Sequence, residues 1–144
     1  MPDIDIREVT TFDPSLIEPI CSLLRQLTSR EILFTEESLH QIISDRASRL
    51  FLLYYDNTVA GMLTLGIYSA PTSRKAWVED VVVDKEYRGK GFGRQLVQYA
   101  IKYTQQLSPI TLMLTSNPQR TEANALYRRE GFEQRTTNVY KMDL

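Results

Sequence analysis

Val81-Val82-Val83-Asp84-Lys85-Glu86-Tyr87-Arg88-Gly89-Lys90-Gly91-Phe92-Gly93-Arg94 is the stretch on which the reading of this chain turns. A run of valines, typical of a buried strand, passes through a short turn into a glycine-rich helix start. Gly89, Gly91 and Gly93 remove side chains where backbone N–H groups point outward. A helix N-terminus adds roughly half a positive charge there. Together they predict an anion site suited to phosphates, with Arg88, Lys90 and Arg94 adding formal charge. Two phosphate-binding patterns fail. The Walker A loop needs Ser or Thr after Gly-Lys, and here Gly91 follows Lys90. The dinucleotide fingerprint would place Arg94 at its third small position, and Ser108 to Thr111 offers no acidic residue for a ribose. Glycines at a helix start cost stability and so call for a reason, which ligand binding supplies.

Outward from that stretch, the periodicity sets the element order. Ile4, Ile6 and Val9 suggest a first strand. Leu16, Ile20, Leu23, Leu24 and Leu27 form a helical stripe, with Asp13 as cap and Pro14 in first position, unless Pro19 delays the start to near Glu18. Thr35 with Glu36 and Glu37 opens a second helix. Phe51 to Tyr55 and Val59 to Tyr68 read as a hairpin turned at Asp56-Asn57. A loop over Ser69 to Ser73 leads to a third strand, Ala76 to Val83. Gly91 to Leu107 is a helix ended by Ser108-Pro109, and Ile110 to Thr115 a strand. Glu122 to Glu130 is a helix closed by Gly131, and Phe132 to Leu144 supplies one or two closing strands. This order predicts an α/β class fold, a mixed α+β sandwich with a central, mostly antiparallel sheet and helices on both faces. The 144 residues make one domain, 1–144, with roughly two thirds of the unfolded surface available for burial.

Composition narrows the chemistry. Cys21 alone makes no intrachain disulfide, and one His (His40) with one Cys excludes a Cys/His zinc site, so no metal is implied. His40 reads as a surface or partly packed residue and Cys21 as a small core residue. The net charge of −1 offers no basic face for nucleic acid. Residues 1–76 carry 7 basic and 10 acidic side chains; residues 77–144 carry 10 and 8, a small excess that suits one anionic ligand. No apolar run spans a bilayer and the acidic N-terminus lacks a signal pattern, so no membrane partner and a cytoplasmic location are expected.

A second stretch completes the reading. Arg88-Gly89-Lys90-Gly91-Phe92-Gly93 resembles the R/Q-x-x-G-x-G/A motif of the GNAT superfamily of N-acetyltransferases. Ala123-Asn124-Ala125-Leu126-Tyr127-Arg128-Arg129-Glu130-Gly131-Phe132 resembles its A-x-x-L-Y-x-x-x-G-F signature. The resemblance follows the element order over essentially the whole chain. It implies the acyl-CoA N-acyltransferase fold and acetyl-coenzyme A as donor. It implies that the Arg88 to Gly93 amides hold the pyrophosphate, with Arg94 alongside, and that Val81, Val82 and Val83 pair with the pantetheine arm. Many members carry Asn where this chain has Arg120; Arg120 is then a candidate for the cofactor's phosphates, and Asn117 or Asn124 for the missing contact.

Acetyl transfer to an amine needs a base, an oxyanion donor and an acid for the leaving thiolate. A backbone N–H near Val81 or Val82 suits the second role. Tyr127, a weak acid, suits the third. Glu79, acting through water, is the candidate base. Strand alternation places Trp77, Glu79, Val81 and Val83 on one face and Val78, Asp80 and Val82 on the other, unless a bulge turns Asp80 inward instead. The expected acceptor is a primary amine, small-molecule or peptide, bordered by Ser29 to Thr35 and Ser69 to Lys75, with Glu31 a candidate to attract it and one or two of the tyrosines, such as Tyr54, Tyr55, Tyr68 or Tyr140, lining it. A protein N-terminal or lysine acetyltransferase and a non-catalytic acyl-CoA-binding regulatory module are the alternatives. Edge strands invite a second copy, so a homodimer through the closing strands or first helices is a further expectation.

Overall fold

Leu50, Phe51, Leu52 and Leu53 are each at most 4% exposed. Since neighbouring strand residues point to opposite faces, this strand must be covered on both sides. It is β2 (Ser48–Tyr55), and the computed structural model, which describes residues 2–144, shows both covers. Phe51 and Leu53 enter one core with Phe92, Leu96 and Ala100; Leu50 and Leu52 enter the other with Leu16, Ile20, Leu23 and Leu39. The sheet runs β1-β2-β3-β4-β5, with β1 Ile4–Glu8, β3 Thr58–Ala70, β4 Ser73–Val83 and β5 Thr111–Met113. The first four strands pair antiparallel and β4 pairs β5 in parallel. Helix α1 (Ile17–Leu27) and helix α2 (Glu36–Ser44) supply the second core, and α3 (Phe92–Gln105) the first. Helix α4 (Thr121–Arg129) follows β5. This is the mixed α/β sandwich that the element order predicts. Among the described residues no helix is long and apolar enough to cross a membrane.

Local signals explain the starts and turns. Asp13 accepts from the Ser15 amide at 2.9 Å, and Pro14 opens a 3-10 turn that runs into α1. Pro19 lies in the first turn of α1, where a missing N–H costs least. Thr35 caps α2 in a reciprocal pair with Ser38. Asp56 and Asn57 both take positive φ, as a two-residue hairpin turn requires.

Three expectations are corrected. The loop over Ser69 to Ser73 is a tight turn: Ser69 pairs with Arg74 and Ala70 with Ser73, so the hairpin continues to Pro71-Thr72. The alternation along β4 breaks between Glu79 and Val82. Leu63 of β3 faces two residues, Asp80 and Val81, and Asp80 takes φ 51°. This bulge inverts the faces beyond it. Val78, Val81 and Val83 meet the α3 core, while Val82 joins Met62 and Leu52 in the other. Finally, Phe132 to Leu144 forms no strand. Val139, Tyr140, Met142 and Leu144 there are exposed. A strand needs a partner edge, and no strand of the sheet pairs with this segment.

Gly61 sits opposite Val83, where β3 and β4 approach closely below the bulge. A Cβ there would lie 3.0 Å from the Val82 carbonyl oxygen and 3.2 Å from Leu96 Cδ1. Gly61→Ala is therefore expected to lose about 1–3 kcal/mol by overpacking. Urea unfolding checks this; an unchanged midpoint would show that β4 moves freely away.

Candidate active site

Strand β4 outruns its neighbour. Its eleven residues meet only three of β5, and that ladder covers Lys75 to Trp77 alone. Val78 to Val83 thus have no partner strand on that side. Into this opening fits a cleft of about 300 Å³. Its walls are the end of α1 with Thr28, Arg30 and Ile32; the bulge from Val78 to Val81; and Leu114, Thr115, Arg120 and Tyr127 across from it.

The structure thus gathers Glu79, Asp80, Val81, Arg120 and Tyr127 in one place, although they are spread over nearly 50 residues of chain. Glu79 opposes Thr64 on the face that carries Met62 and Val82, beside α1. It is exposed to the cleft instead of buried in the strand's core. Partial burial pushes its carboxyl above the ordinary carboxylate range, and the neighbouring Asp80 charge adds to this. Tyr127 is 8% exposed, packs edge-on against Phe132 and makes no hydrogen bond through its hydroxyl among the described residues. Beyond Thr115, Ser116 buries a hydroxyl without a described partner.

The glycine-rich turn lies at the far end of β4. Asp84 accepts from the Glu86 amide and begins a 3-10 turn, Lys85–Tyr87. Gly89 and Gly91 take φ 81° and 80°, a region open to glycine but costly for other residues. Gly91 starts α3 without a side chain to cap it, and the first intrahelical bond runs from the Gln95 amide to Gly91. The amides of Phe92, Gly93 and Arg94 therefore lack helical partners. The basic side chains are partly committed. Arg94 pairs with Glu130 at 3.1 Å, tying α3 to the end of α4; Arg88 Nε donates to the Val83 carbonyl; Lys90 lies 5.6 Å from the Tyr55 ring centre. What the turn leaves free is backbone.

Other expected residues fall elsewhere. Asn117 accepts from the Gln119 amide and Asn124 donates to the Asn117 carbonyl, so both hold the turn before α4 and neither lines the cleft. Ser69 to Lys75 lies in the hairpin ladder and does not line the cleft. Of Ser29 to Thr35, Arg30 and Ile32 line the cleft and Glu31 does not. None of Tyr54, Tyr55, Tyr68 and Tyr140 lines it either. His40 stacks on Phe12 at 3.9 Å, and Cys21 Sγ donates to the Phe34 carbonyl. Thr28 and Thr115 had no sequence signal, and Arg30 was marked only as part of the segment Ser29 to Thr35, because nothing local tells which loop residue will face a distant bulge.

Residues 17–132 match the model of the Acetyltransferase (GNAT) family. The chain belongs to that family. Its fold is that of several solved acetyltransferases. An acetyltransferase of Trypanosoma brucei is 21% identical, superposes with a TM-score of 0.81 and is covered over 100% of its length by 99% of this chain. The glucosamine-6-phosphate N-acetyltransferase of Arabidopsis thaliana is 19% identical with a TM-score of 0.80, over 97% of this chain and 98% of its own. The aminoglycoside N-acetyltransferase AAC(6')-Iy, solved with CoA, is 16% identical with a TM-score of 0.79, over 99% of this chain and 96% of its own.

The bulge depends on Asp80 holding a left-handed backbone. Asp tolerates that conformation better than a β-branched residue does. Asp80→Val is expected to lower stability by about 1–2 kcal/mol, whereas Asp80→Gly is not. Equal denaturation midpoints for the two variants would count against a strained bulge.

Proposed function

We propose that the chain is an N-acetyltransferase that moves the acetyl group of acetyl-coenzyme A to a primary amine by direct attack in a ternary complex. The observation that carries this reading is the open edge of β4, running from the cleft at Val81 to the uncapped start of α3. A CoA-type cofactor needs a phosphate cradle, an edge for its amide-containing arm and a pocket for its acyl end, in that order. The amides of Arg88, Gly89, Lys90, Gly91, Phe92, Gly93 and Arg94 form the cradle. The backbone of Val81 to Val83 offers the edge, as an added strand would use it. Arg120, at the start of α4, faces the polar arm, and Asn117 and Asn124 act through the turn they hold.

Bound acetyl-coenzyme A supplies an activated thioester carbonyl. The chain supplies the rest. Glu79, through water, takes the proton that an ammonium must lose before its nitrogen can attack. The Val81 amide, in the bulge, donates to the oxyanion as the nitrogen–carbon bond forms. Tyr127 gives its proton to the sulfur as the carbon–sulfur bond breaks and is reprotonated from solvent. Amide, free thiol and one proton result. A raised pKa makes Glu79 a better base than an ordinary carboxylate, at the cost of activity in acid.

Acetyl-coenzyme A is expected to bind saturably in calorimetry; no heat at millimolar ligand would overturn the reading. With a working amine, Tyr127→Phe should cut turnover about 10²–10⁴-fold. Glu79→Gln should remove the acid limb of the kcat/KM profile. It should not lower stability at neutral pH. A carboxyl with a folded pKa above its unfolded one loses stability on ionising, so that loss is absent in acid and present above the folded pKa. An unaltered profile would remove Glu79 from the mechanism.

We also infer a homodimer. The outer edge of β5 has no partner among the described residues, and the segment 133–144 of a second copy, which exposes Val139, Tyr140, Met142 and Leu144, would add to it as a further strand. Light scattering should give twice the chain mass for the full chain and a monomer after deletion of 134–144. A monomeric full chain would overturn it.

A further inference from the structure

Four charged side chains line the cleft: Arg30 and Arg120, Glu79 and Asp80. None of the four forms an ion pair among the described residues. Elsewhere Arg7, Arg25, Arg49 and Arg94 have a carboxylate partner, while Arg46, Arg74, Arg88, Arg128, Arg129 and Arg135 have none among the described residues. What sets the cleft apart is that both signs of unpaired charge line one small space, where a single ligand can meet both. Their positions separate them. Glu79 and Asp80 occupy the bulge, and Arg120 lies beside Tyr127 on the wall given above to the cofactor. Arg30 stands on the remaining wall, just past α1, where its amide donates to Thr28 Oγ1 at 3.1 Å and fixes the chain at the rim. No part of the cofactor machinery needs it.

Resting on the transferase reading, we propose that the acceptor is a small amphoteric amine, with Arg30 as the residue that selects it. The nitrogen meets Glu79 and Asp80, and a carboxylate or phosphate on the same molecule is held by the Arg30 guanidinium. A guanidinium binds either anion through two parallel N–H donors. The cleft volume is at the small end for ligand sites, which restricts the acceptor to a compact body, packed on Leu27 and Ile32. A polycationic acceptor would bring further ammonium groups against Arg30 and Arg120, and like charges facing each other reject it. Glu31, the acidic neighbour in sequence, lies outside the cleft and offers no counter-attraction.

Thiol release with matched acceptors tests this. Glucosamine 6-phosphate against glucosamine, and β-alanine against propylamine, separate the phosphate from the carboxylate. At least one anionic member is expected to have a kcat/KM about 10-fold or more above its neutral mate, the size of a charge-assisted hydrogen bond. Arg30→Gln should erase that preference through KM, and Arg30→Glu should reverse it toward a diamine such as putrescine. Calorimetry with acetyl-coenzyme A on both variants should show affinity within about twofold of the parent, since Arg30 lies off the cofactor wall. Neutral amines turned over as well as their anionic mates, or a preference that survives Arg30→Gln, would overturn the proposal and leave the transferase reading standing. Thiol release from no member of a broad amine library would overturn both.

Discussion

Two residues of β4 face one of β3, and the cleft follows from that mismatch. A regular ladder would have kept Glu79, Val81 and Val83 on one face and sent Asp80 toward the α3 core. The extra residue inverts the alternation, so Val81 and Val83 continue the hydrophobic face begun by Ala76 and Val78. Asp80 and Glu79 are thereby left outside both cores, together and next to a backbone that no strand pairs. Burying Asp80 in the sheet would be costly, and the bulge avoids that cost by leaving it beside Glu79 at the cleft. Gly61 belongs to the same device, since only a hydrogen leaves room for the Val82 carbonyl where the strands close up again.

The second constraint is the length of β5. Three paired residues suffice to anchor it to the far half of β4, and beyond Trp77 the two strands have no ladder between them. A sheet edge that is open in its interior would normally be a liability. Here its opening is bounded by α1 on one side and Tyr127 of α4 on the other, which makes a pocket of it. The ion pair of Arg94 with Glu130, whose side chain is only 9% exposed, joins the glycine-rich start of α3 to the end of α4, beside that wall. What that start leaves unpaired is backbone amides. That is consistent with a chain that has one His and one Cys and that uses both in packing: His40 on Phe12, Cys21 against Phe34.

Much of the fold was legible because its signals are local. Asp13 before Pro14, Thr35 before Glu36-Glu37, Asp56-Asn57 and Gly131 each satisfy a backbone requirement within a few residues of themselves. The stripes of α1 and α3 follow from helical periodicity alone. The signals that misled were local too. Pro71 read as a loop, yet it sits in a turn where no ladder bond is needed. Phe132 to Leu144 read as closing strands, yet no strand pairs with it in this chain.

The sequence by itself determined most of the elements, the glycine-rich turn from Arg88 to Gly93 at the start of α3, and the family to which its two motifs belong. These depend on backbone conformation and on spacing within short stretches. The tertiary structure alone decided that Glu79 and Asp80 face a cleft, that Tyr127 stands across from them, and that Arg30 and not Glu31 completes the wall. Those are facts about which surfaces meet. They are set by one residue of register in β4 and by where β5 stops, and neither is written in the periodicity of any single segment.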